Sequence, residues 1–350
     1  MDNCVHIKFI NTMEEKRRKE ISEEDIIMEG NIWTDENGKK YRYVDPMTDK
    51  GFKLLFGTEG NEELLTNLLN SIIPGSRIMN LSYSNSEHLG LTEDDDKAIF
   101  DVYCEDEDGV RFLLEMQNWS QHYFNKRAVY YSTYAIQDQA AKEKKHQQKT
   151  LGKRNWDYNY APVYVVCFLS FDMKKTPEEL VRVKQDEYLS FYRYVDIETK
   201  EELEDGSTLV FVEMNKFRKN LQECDTGKEK WLCSIKNMNS QLEVPEGISG
   251  TELEELYSKG EIAALPKSKR INYISYIMSR NDELNSREEQ IADARAEGRA
   301  EGRAEGRAEG RAEGIQFSIR KMLDAGIESD VVADILGVGM EEVERLSDNG

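Results

Sequence analysis

The chain has 350 residues, of which 39% are hydrophobic and 33% are charged, and its formal net charge at pH 7 is -21. Such acidity argues against the basic surface that binding to nucleic-acid phosphates usually requires. The five cysteines are odd in number and include no CxxC pair, which favours reduced, buried thiols over a zinc site. No segment has the pattern of a membrane-spanning helix or a signal peptide, so we expect a cytoplasmic protein without membrane contact.

Residues 1–42 are rich in charge and poor in apolar positions, which predicts an extension without chemistry. We expect a loop over 45–57 that leads into a first core helix over 63–73, where apolar residues recur at helical spacing. Lys53 is expected near the start of that helix. A first strand is predicted over 78–84.

Two short apolar runs between Phe100 and Asn118 are joined by an acidic turn, which predicts a β-hairpin. Each run alternates, so one face is expected to form the core, with Phe100, Val102 and Cys104 together on it. A three-residue turn over 107–109, ending in a left-handed glycine, sets the register of the hairpin.

In this register Asp101 lies opposite Glu115. Opposed side chains in a sheet are roughly 5 Å apart, so two carboxylates there repel unless a cation or a shared proton relieves them. Mg²⁺ is suited to the task, because it takes one or two carboxylates together with phosphate oxygens of a substrate and several waters. This interpretation requires both carboxylates to face the same side of the sheet, with neither sealed in the apolar core.

The order of Asp101 and then Glu115-Met116-Gln117 resembles the D…(D/E)xK core of restriction-endonuclease-like nucleases, with Gln117 in the place of the lysine. More closely, the chain resembles the PD-(D/E)XK nuclease family transposases, also called the recombination-promoting nuclease (Rpn) family. The resemblance covers about residues 43–217, and six stretches carry it: DKGFKLLFG (49–57), ELLTNLLNSII (63–73), FDVYCEDEDG (100–109), LLEMQ (113–117), KRAVYY (126–131) and VFVEMNKF (210–217).

The resemblance implies an α/β fold: a restriction-endonuclease-like αβββαβ core, with a mixed central sheet flanked by helices, and a C-terminal helical extension. It implies a DNA endonuclease of a mobile element, active in DNA recombination, in which Asp101 and Glu115 hold one or two Mg²⁺ (or Mn²⁺) ions. Gln117 cannot carry charge, so it is expected only to orient water or a phosphate oxygen. Lys53 is either a surface lysine or the residue that supplies the missing positive charge. Three nearby carboxylates stay open as a further metal ligand: Glu59, Glu62 and Glu63.

A second core helix is predicted over 121–141, and the basic stretch 142–160 is expected to form a loop. Arg127 either contacts a phosphate, braces the acidic site or lies on the helix surface. The basic stretch either follows a phosphate backbone or is merely solvated. The candidate contacts to nucleic acid are therefore Arg127, Lys144, Lys145 and Lys149.

The unbroken apolar run over 161–171 predicts a strand that is buried on both faces. Runs over 188–197 and 209–213 predict two later strands of the same sheet. Helical spacing follows over 228–280.

Residues 296–314 repeat AEGR. Each glycine costs about 1 kcal/mol in a helix, so the repeat is either a linker or a helix that pairs between chains. The short helices after residue 315 carry three basic against eight acidic residues, which favours protein contacts or oligomerisation over DNA reading. The expected parts are an extension (1–42), a nuclease-like domain (43–220), a helical subdomain (221–292), the repeat (293–314) and a tail (315–350).

Two other functions fit the same residues. A catalytically inactive scaffold that acts through protein contacts is favoured by Gln117 and by the net charge. A phosphohydrolase that acts on small nucleotides is a weaker alternative, for which the overall acidity matters less.

Overall fold

The computed structural model describes residues 26–84, 87–88, 98–119, 123–150, 158–173, 187–203 and 206–347. The chain forms two compact units that divide after Ile277. Within the described ranges, no helix combines the length and the apolar character that crossing a membrane needs.

The described strands are β1 (Met28–Glu29), β2 (Ile32–Thr34), β3 (Lys40–Tyr41), β4 (Leu81–Tyr83), β5 (Glu87–His88), β6 (Ala98–Ile99), β7 (Val102–Asp106), β8 (Arg111–Gln117), β9 (Val163–Leu169), β10 (Leu189–Tyr192) and β11 (Ser207–Glu213). The described helices are α1 (Asp49–Phe56), α2 (Glu62–Ile72), α3 (Phe124–Thr150), α4 (Gly227–Asn237), α5 (Leu253–Gly260), α6 (Lys267–Asp324), α7 (Ser329–Leu336) and α8 (Met340–Ser347).

A six-stranded mixed sheet with the order β10-β11-β9-β8-β7-β4 forms the centre of the first unit. β9 pairs in parallel with both β8 and β11, while the remaining neighbours are antiparallel. β9 is almost wholly buried, as its apolar run predicts. The predicted α/β class and the restriction-endonuclease-like αβββαβ order are confirmed, and β10 and β11 extend the same sheet as expected.

The β7–β8 hairpin has the predicted register, since Val102 pairs with Leu114 and Glu105 with Arg111. Gly109 has a φ of 81° and donates its N–H to the carbonyl of Asp106 at 3.1 Å, which closes the turn. The prediction of a single core face was wrong, because residues on both faces of β7 are buried.

Phe100 in particular does not share a face with Val102 and Cys104. It packs in the cluster that contains Tyr103 and Leu113, and its ring lies 5.0 Å from the ring of Tyr131 on α3. The physical reason is that the paired strand begins only at Val102, so Phe100 does not follow the alternation of β7.

The loop expected over 45–57 is largely the helix α1, so this prediction was wrong. Thr48 caps the helix by accepting a hydrogen bond from Gly51, and Phe52 and Phe56 are fully buried. A Cβ atom at Gly51 would lie 1.9 Å from the carbonyl oxygen of Asp45, so only glycine fits this close approach. Burial of the apolar side chains outweighs the loop-forming residues around them.

Lys53 accordingly lies in the last turn of α1 and not at the start of α2, where it was expected. The same helix packs on the sheet, because the rings of Phe52 and Phe168 lie 5.3 Å apart. The position of Lys53 relative to β8 is therefore set by the packing of α1.

The basic stretch was predicted to be a loop from residue 142, but α3 continues to Thr150. Residues 142–150 are mostly Lys, Glu and Gln, which are good helix formers, and this stretch contains no glycine or proline. Lys144, Lys145 and Lys149 are consequently exposed on a helix.

The helices after β11 pack back on the first two helices of the unit, α4 against α2 and α5 against α1. The segment before α1 is held by the later helices. Val44 donates its N–H to Gly260 at 2.8 Å, and Asp45 donates its N–H to the hydroxyl of Tyr273 at 2.6 Å. The domain boundaries proposed from the sequence stay a prediction, since compact packing does not measure independent folding.

In the second unit, the end of α6 packs with α7 and α8 around a small core of Ile319, Val332, Ala333 and Val343. Gly337 ends α7 with a φ of 65°, the left-handed conformation of a helix C-cap.

Candidate metal centre

Three side chains meet where β7 begins and β8 ends. Asp101 directly precedes β7, while Glu115 and Gln117 are alternate residues of β8. By the alternation of a strand, Glu115 and Gln117 share the face of Leu113, which packs with residues of α3. The sheet thus presents this group of residues toward α3.

Asp101 is held through both carboxylate oxygens. Its Oδ1 lies 3.1 Å from Nζ of Lys53, and its Oδ2 accepts a hydrogen bond from the backbone N–H of Met116 at 2.8 Å. Burial raises the pKa of this carboxyl above its ordinary value, and the charge of Lys53 opposes the rise. The side chain of Lys53 is 42% exposed and that of Asp101 12% exposed, so Lys53 lies on the solvent side of the pair.

Glu115 is 6% exposed, and its Oε1 is buried without a hydrogen-bond partner among the described residues. Burial raises the pKa of Glu115 well above its ordinary value, and the charge of Asp101 raises it further. The two carboxylates therefore interact, as their opposition across the hairpin predicts. Glu115 is more enclosed than that prediction assumed.

Gln117 is bound from both sides of its amide. Its Oε1 accepts a hydrogen bond from Nη2 of Arg127, and its Nε2 donates to the carbonyl of Trp119 at 3.4 Å. The guanidinium of Arg127 also lies over the rings of Phe124 and Tyr131, at 5.1 and 5.6 Å from their centroids. The structure thus places Arg127 beside the site, in contact with Gln117.

Glu62, one of the three carboxylates considered as a further metal ligand, has its hydrogen bonds elsewhere. Both oxygens of Glu62 accept from the backbone N–H of Gly60, at 3.1 and 3.0 Å. Across the described ranges, no three His, Cys, Asp or Glu side chains are grouped closely enough to hold a metal ion.

The residues present nevertheless fit a magnesium-like ion, because such an ion needs only one or two carboxylates from the protein. Carboxylate oxygens are the ligands it prefers, and the buried Oε1 of Glu115 has an unused acceptor capacity beside Asp101. A cation there would offset the free-energy cost of burying the charge of Glu115 and would reduce its repulsion from Asp101.

The sequence pattern did not predict a series of hydrogen bonds beside the site. Asn118 donates through Nδ2 to Oδ1 of Asp49 at 3.1 Å, and the hydroxyl of Ser170 donates to Oδ1 of Asn118 at 3.3 Å. These residues come from α1, the end of β8 and the end of β9. No periodicity or spacing in the sequence connects them.

Comparison with known proteins gives one match. The model of the family described as PD-(D/E)XK nuclease family transposase matches residues 46–290. No curated protein and no solved structure matches the chain.

Proposed function

We propose that this chain, which belongs to the PD-(D/E)XK nuclease family transposases, is a metal-dependent DNA endonuclease that hydrolyses phosphodiester bonds. The observation that carries the proposal is the buried Oε1 of Glu115, which has no hydrogen-bond partner in the described structure and belongs to a carboxylate that interacts with Asp101. A buried acceptor of this kind is costly unless something binds it, and a divalent cation is the partner that the family suggests.

Asp101 and Glu115 are the proposed ligands of Mg²⁺ or Mn²⁺. When bound, the ion supplies an activated water and stabilises the charge that develops on the phosphate. Lys53 holds Oδ1 of Asp101 and presents a cation toward solvent, where a phosphate oxygen can approach. Gln117, fixed by Arg127, orients water or a phosphate oxygen through its amide.

DNA is the proposed substrate, and the contacts we assign to its backbone are Arg127, Lys144, Lys145 and Lys149. The three lysines are exposed on α3, whose Arg127 lies at the site. Local basic residues on this helix support phosphate binding in spite of the overall charge of -21. We further propose a cytoplasmic protein that takes part in DNA recombination and forms homo-oligomers through its C-terminal region.

Nicking of a supercoiled plasmid, together with a thermal unfolding series, tests the function. We expect nicking in Mg²⁺ or Mn²⁺ and none in EDTA, and the melting temperature should rise with either ion because the metal binds the folded state. A protein that neither nicks DNA nor gains stability from either ion would be the inactive scaffold.

Replacing Lys53 separates its charge from its packing. We expect Lys53→Met to lower the nicking rate by about 10- to 100-fold, as loss of a group that supports a metal ligand typically does, whereas Lys53→Arg should retain more activity. Because Asp101 is only 12% exposed, the loss of its charge partner should also lower the melting temperature, and Lys53→Arg should lower it less.

Lys40→Met is the matched control, since Lys40 also forms a half-exposed ion pair, at 3.9 Å from Glu29. Equal activity of Lys53→Met and Lys40→Met would remove Lys53 from the site.

One observation favours the scaffold as a second candidate. The structure encloses Glu115 and raises its pKa, and the group in the place of the motif lysine is an amide whose oxygen is already bound by Arg127. A protonated Glu115 needs no metal, so the metal dependence of stability distinguishes the two candidates.

A further inference from the structure

We propose that three tyrosines along the first half of α3, which we call the tyrosine row (Tyr123, Tyr130 and Tyr134), form a stacking surface for unpaired bases of DNA. The preferred substrate is then DNA with a single-stranded stretch beside the bond that is cut. The choice of DNA rests on the proposed function, but the inference concerns how bases are recognised and not how the bond is hydrolysed.

The tyrosine row follows one side of the helix. Tyr123 directly precedes α3, and its carbonyl accepts a hydrogen bond from the N–H of Arg127 at 3.0 Å, so it continues the helical geometry. At 100° per residue, the three tyrosines lie within about 40° of one another around the axis. The core side of α3 is formed by the buried Phe124, Ala128 and Ala135. The row therefore occupies a separate side of the helix.

Two of the three rings are open to solvent. Tyr123 is 60% exposed and Tyr130 is 56% exposed, whereas Tyr134 packs partly against the core cluster under the helix. The hydroxyls of Tyr130 and Tyr134 lie 2.9 Å apart, and their rings meet edge to face with centroids 5.0 Å apart. Tyr134 thus holds the ring of Tyr130 in one orientation, which reduces the entropy that Tyr130 loses when a base stacks on it.

Positive charge accompanies the row. α3 carries six basic and two acidic residues, in a chain whose net charge is -21. Nζ of Lys126 lies 5.3 Å from the centroid of the Tyr123 ring, and the exposed Lys144 is in line with Lys126 about five turns further on. An anionic ligand with planar rings fits this combination, and a nucleic-acid strand has both properties.

The row borders the candidate metal centre. Arg127 contacts Gln117 of that site, and the two exposed tyrosines lie about one turn before and about one turn after Arg127. A strand that stacks on both Tyr123 and Tyr130 therefore passes beside Arg127 and brings its phosphates close to the proposed metal ligands.

Stacking of this kind selects unpaired DNA. Within a duplex each base is covered on both faces by its neighbours, so proteins reach only the base edges in the grooves. The rings of Tyr123 and Tyr130 are about 10 Å apart along the helix axis, which is too far to hold one base between them. Each ring must take a base of its own, and only an unpaired strand can present its bases in this way.

DNA binding in EDTA tests the proposal, because binding requires neither metal nor cleavage. Fluorescence anisotropy with the full chain compares a labelled single strand with the duplex of the same sequence. We expect Tyr123→Ala and Tyr130→Ala each to weaken binding of the single strand by about 10-fold, and binding of the duplex by less than about 2-fold. Tyr123→Phe and Tyr130→Phe should keep most of the affinity, since the ring remains. Both positions are more than half exposed, so these variants should fold.

Two control variants separate stacking from charge and from mere exposure. Lys144→Ala should weaken binding of the single strand and of the duplex to a similar extent, because it removes a phosphate contact. Phe317→Ala is the matched aromatic control: Phe317 on α6 is 63% exposed, and Nζ of Lys321 lies 5.9 Å from its ring centroid. We expect Phe317→Ala to bind both DNAs like the wild type.

The contrary results are equally definite. Equal losses on single strand and duplex for the Tyr→Ala variants would overturn the proposal, and so would no loss on either, which would leave the row to a protein partner. Tighter binding of an RNA strand of the same sequence would contradict DNA as the ligand.

Ultraviolet cross-linking of a single strand that contains 5-iodouracil locates the stacked bases directly, and we expect the cross-link at Tyr123 or Tyr130. Cross-links confined to other residues would contradict the proposal. Plasmid nicking in Mg²⁺ is scored separately, so a chain that binds single strands through these tyrosines but cuts no DNA would refute the nuclease and support the stacking surface.

Discussion

The Asp101→Asn protein should fold normally and nick plasmid DNA more than about 100-fold more slowly than the wild type in Mg²⁺. Replacing a direct metal ligand should exceed the 10- to 100-fold effect of losing a group that merely supports one. The asparagine can still accept the hydrogen bond from Met116 N–H at Oδ1, but it has no charge for Lys53 or for a metal ion. The rise in melting temperature on adding Mg²⁺ should disappear with the activity.

Asp106→Asn is the matched control, because Asp106 lies at the other end of the same strand. Its Oδ1 accepts from the N–H groups of Asp108 and Val110 in the hairpin turn, a role that asparagine can also perform. We expect this variant to retain wild-type activity. Wild-type nicking by Asp101→Asn would remove Asp101 from the chemistry altogether.

The Glu115→Gln protein should lose nuclease activity and, without metal, be more stable than the wild type above neutral pH. Glu115 is buried with an unsatisfied oxygen next to Asp101, so its ionised form is costly to the fold. Removing that charge should raise the free energy of unfolding by about 1–3 kcal/mol at pH 8. Urea unfolding in EDTA at several pH values measures the difference.

The pH dependence has a definite sign. The folded-state pKa of Glu115 is raised above its ordinary value of 4.5, so the folded state binds the proton more tightly than the unfolded state does. The stability that this proton confers is complete below pH 4.5 and is lost as the pH rises through the folded-state pKa. The advantage of Glu115→Gln should therefore be absent at low pH and grow as the pH rises.

Glu213→Gln is the control substitution, for which we expect the opposite change in stability. Glu213 is also buried, but its carboxylate accepts from Met173 N–H at 2.7 Å and pairs with Lys216 at 2.7 Å. We expect Glu213→Gln to destabilise the protein, because it leaves the partly buried Lys216 without its charge partner. If Glu115→Gln and Glu213→Gln both destabilise the protein in EDTA, the ionised form of Glu115 is not costly to the fold.

The hairpin shows how far local sequence reasoning reaches. The length of the turn and the glycine at its end are enough to set the register that places Asp101 across from Glu115. Once one pair of residues is fixed, every other pair along the two strands follows. The buried strand β9 follows from its apolar run in a similar way, and the expectation that the two later strands extend the same sheet is confirmed.

The features that could not be predicted from the sequence depend on contacts between residues far apart in the chain. The helix α1 was missed because its helical state depends on burial of Phe52 and Phe56 and on the tight contact at Gly51, none of which a loop-like composition reveals. The contact between Gln117 and Arg127 joins a strand to a helix, and the relative position of these two elements depends on packing. The degree of enclosure of Glu115 likewise depends on what covers the sheet.

The hydrogen bond from Asp45 to Tyr273 joins the segment before α1 to a residue more than two hundred positions further along the chain. Lys53 is carried by that same helix α1. A fragment that stopped after the last strand would contain both carboxylates, yet it would lack the anchor that fixes the lysine beside them. We therefore expect a piece that assembles the site to extend at least into the first turns of α6.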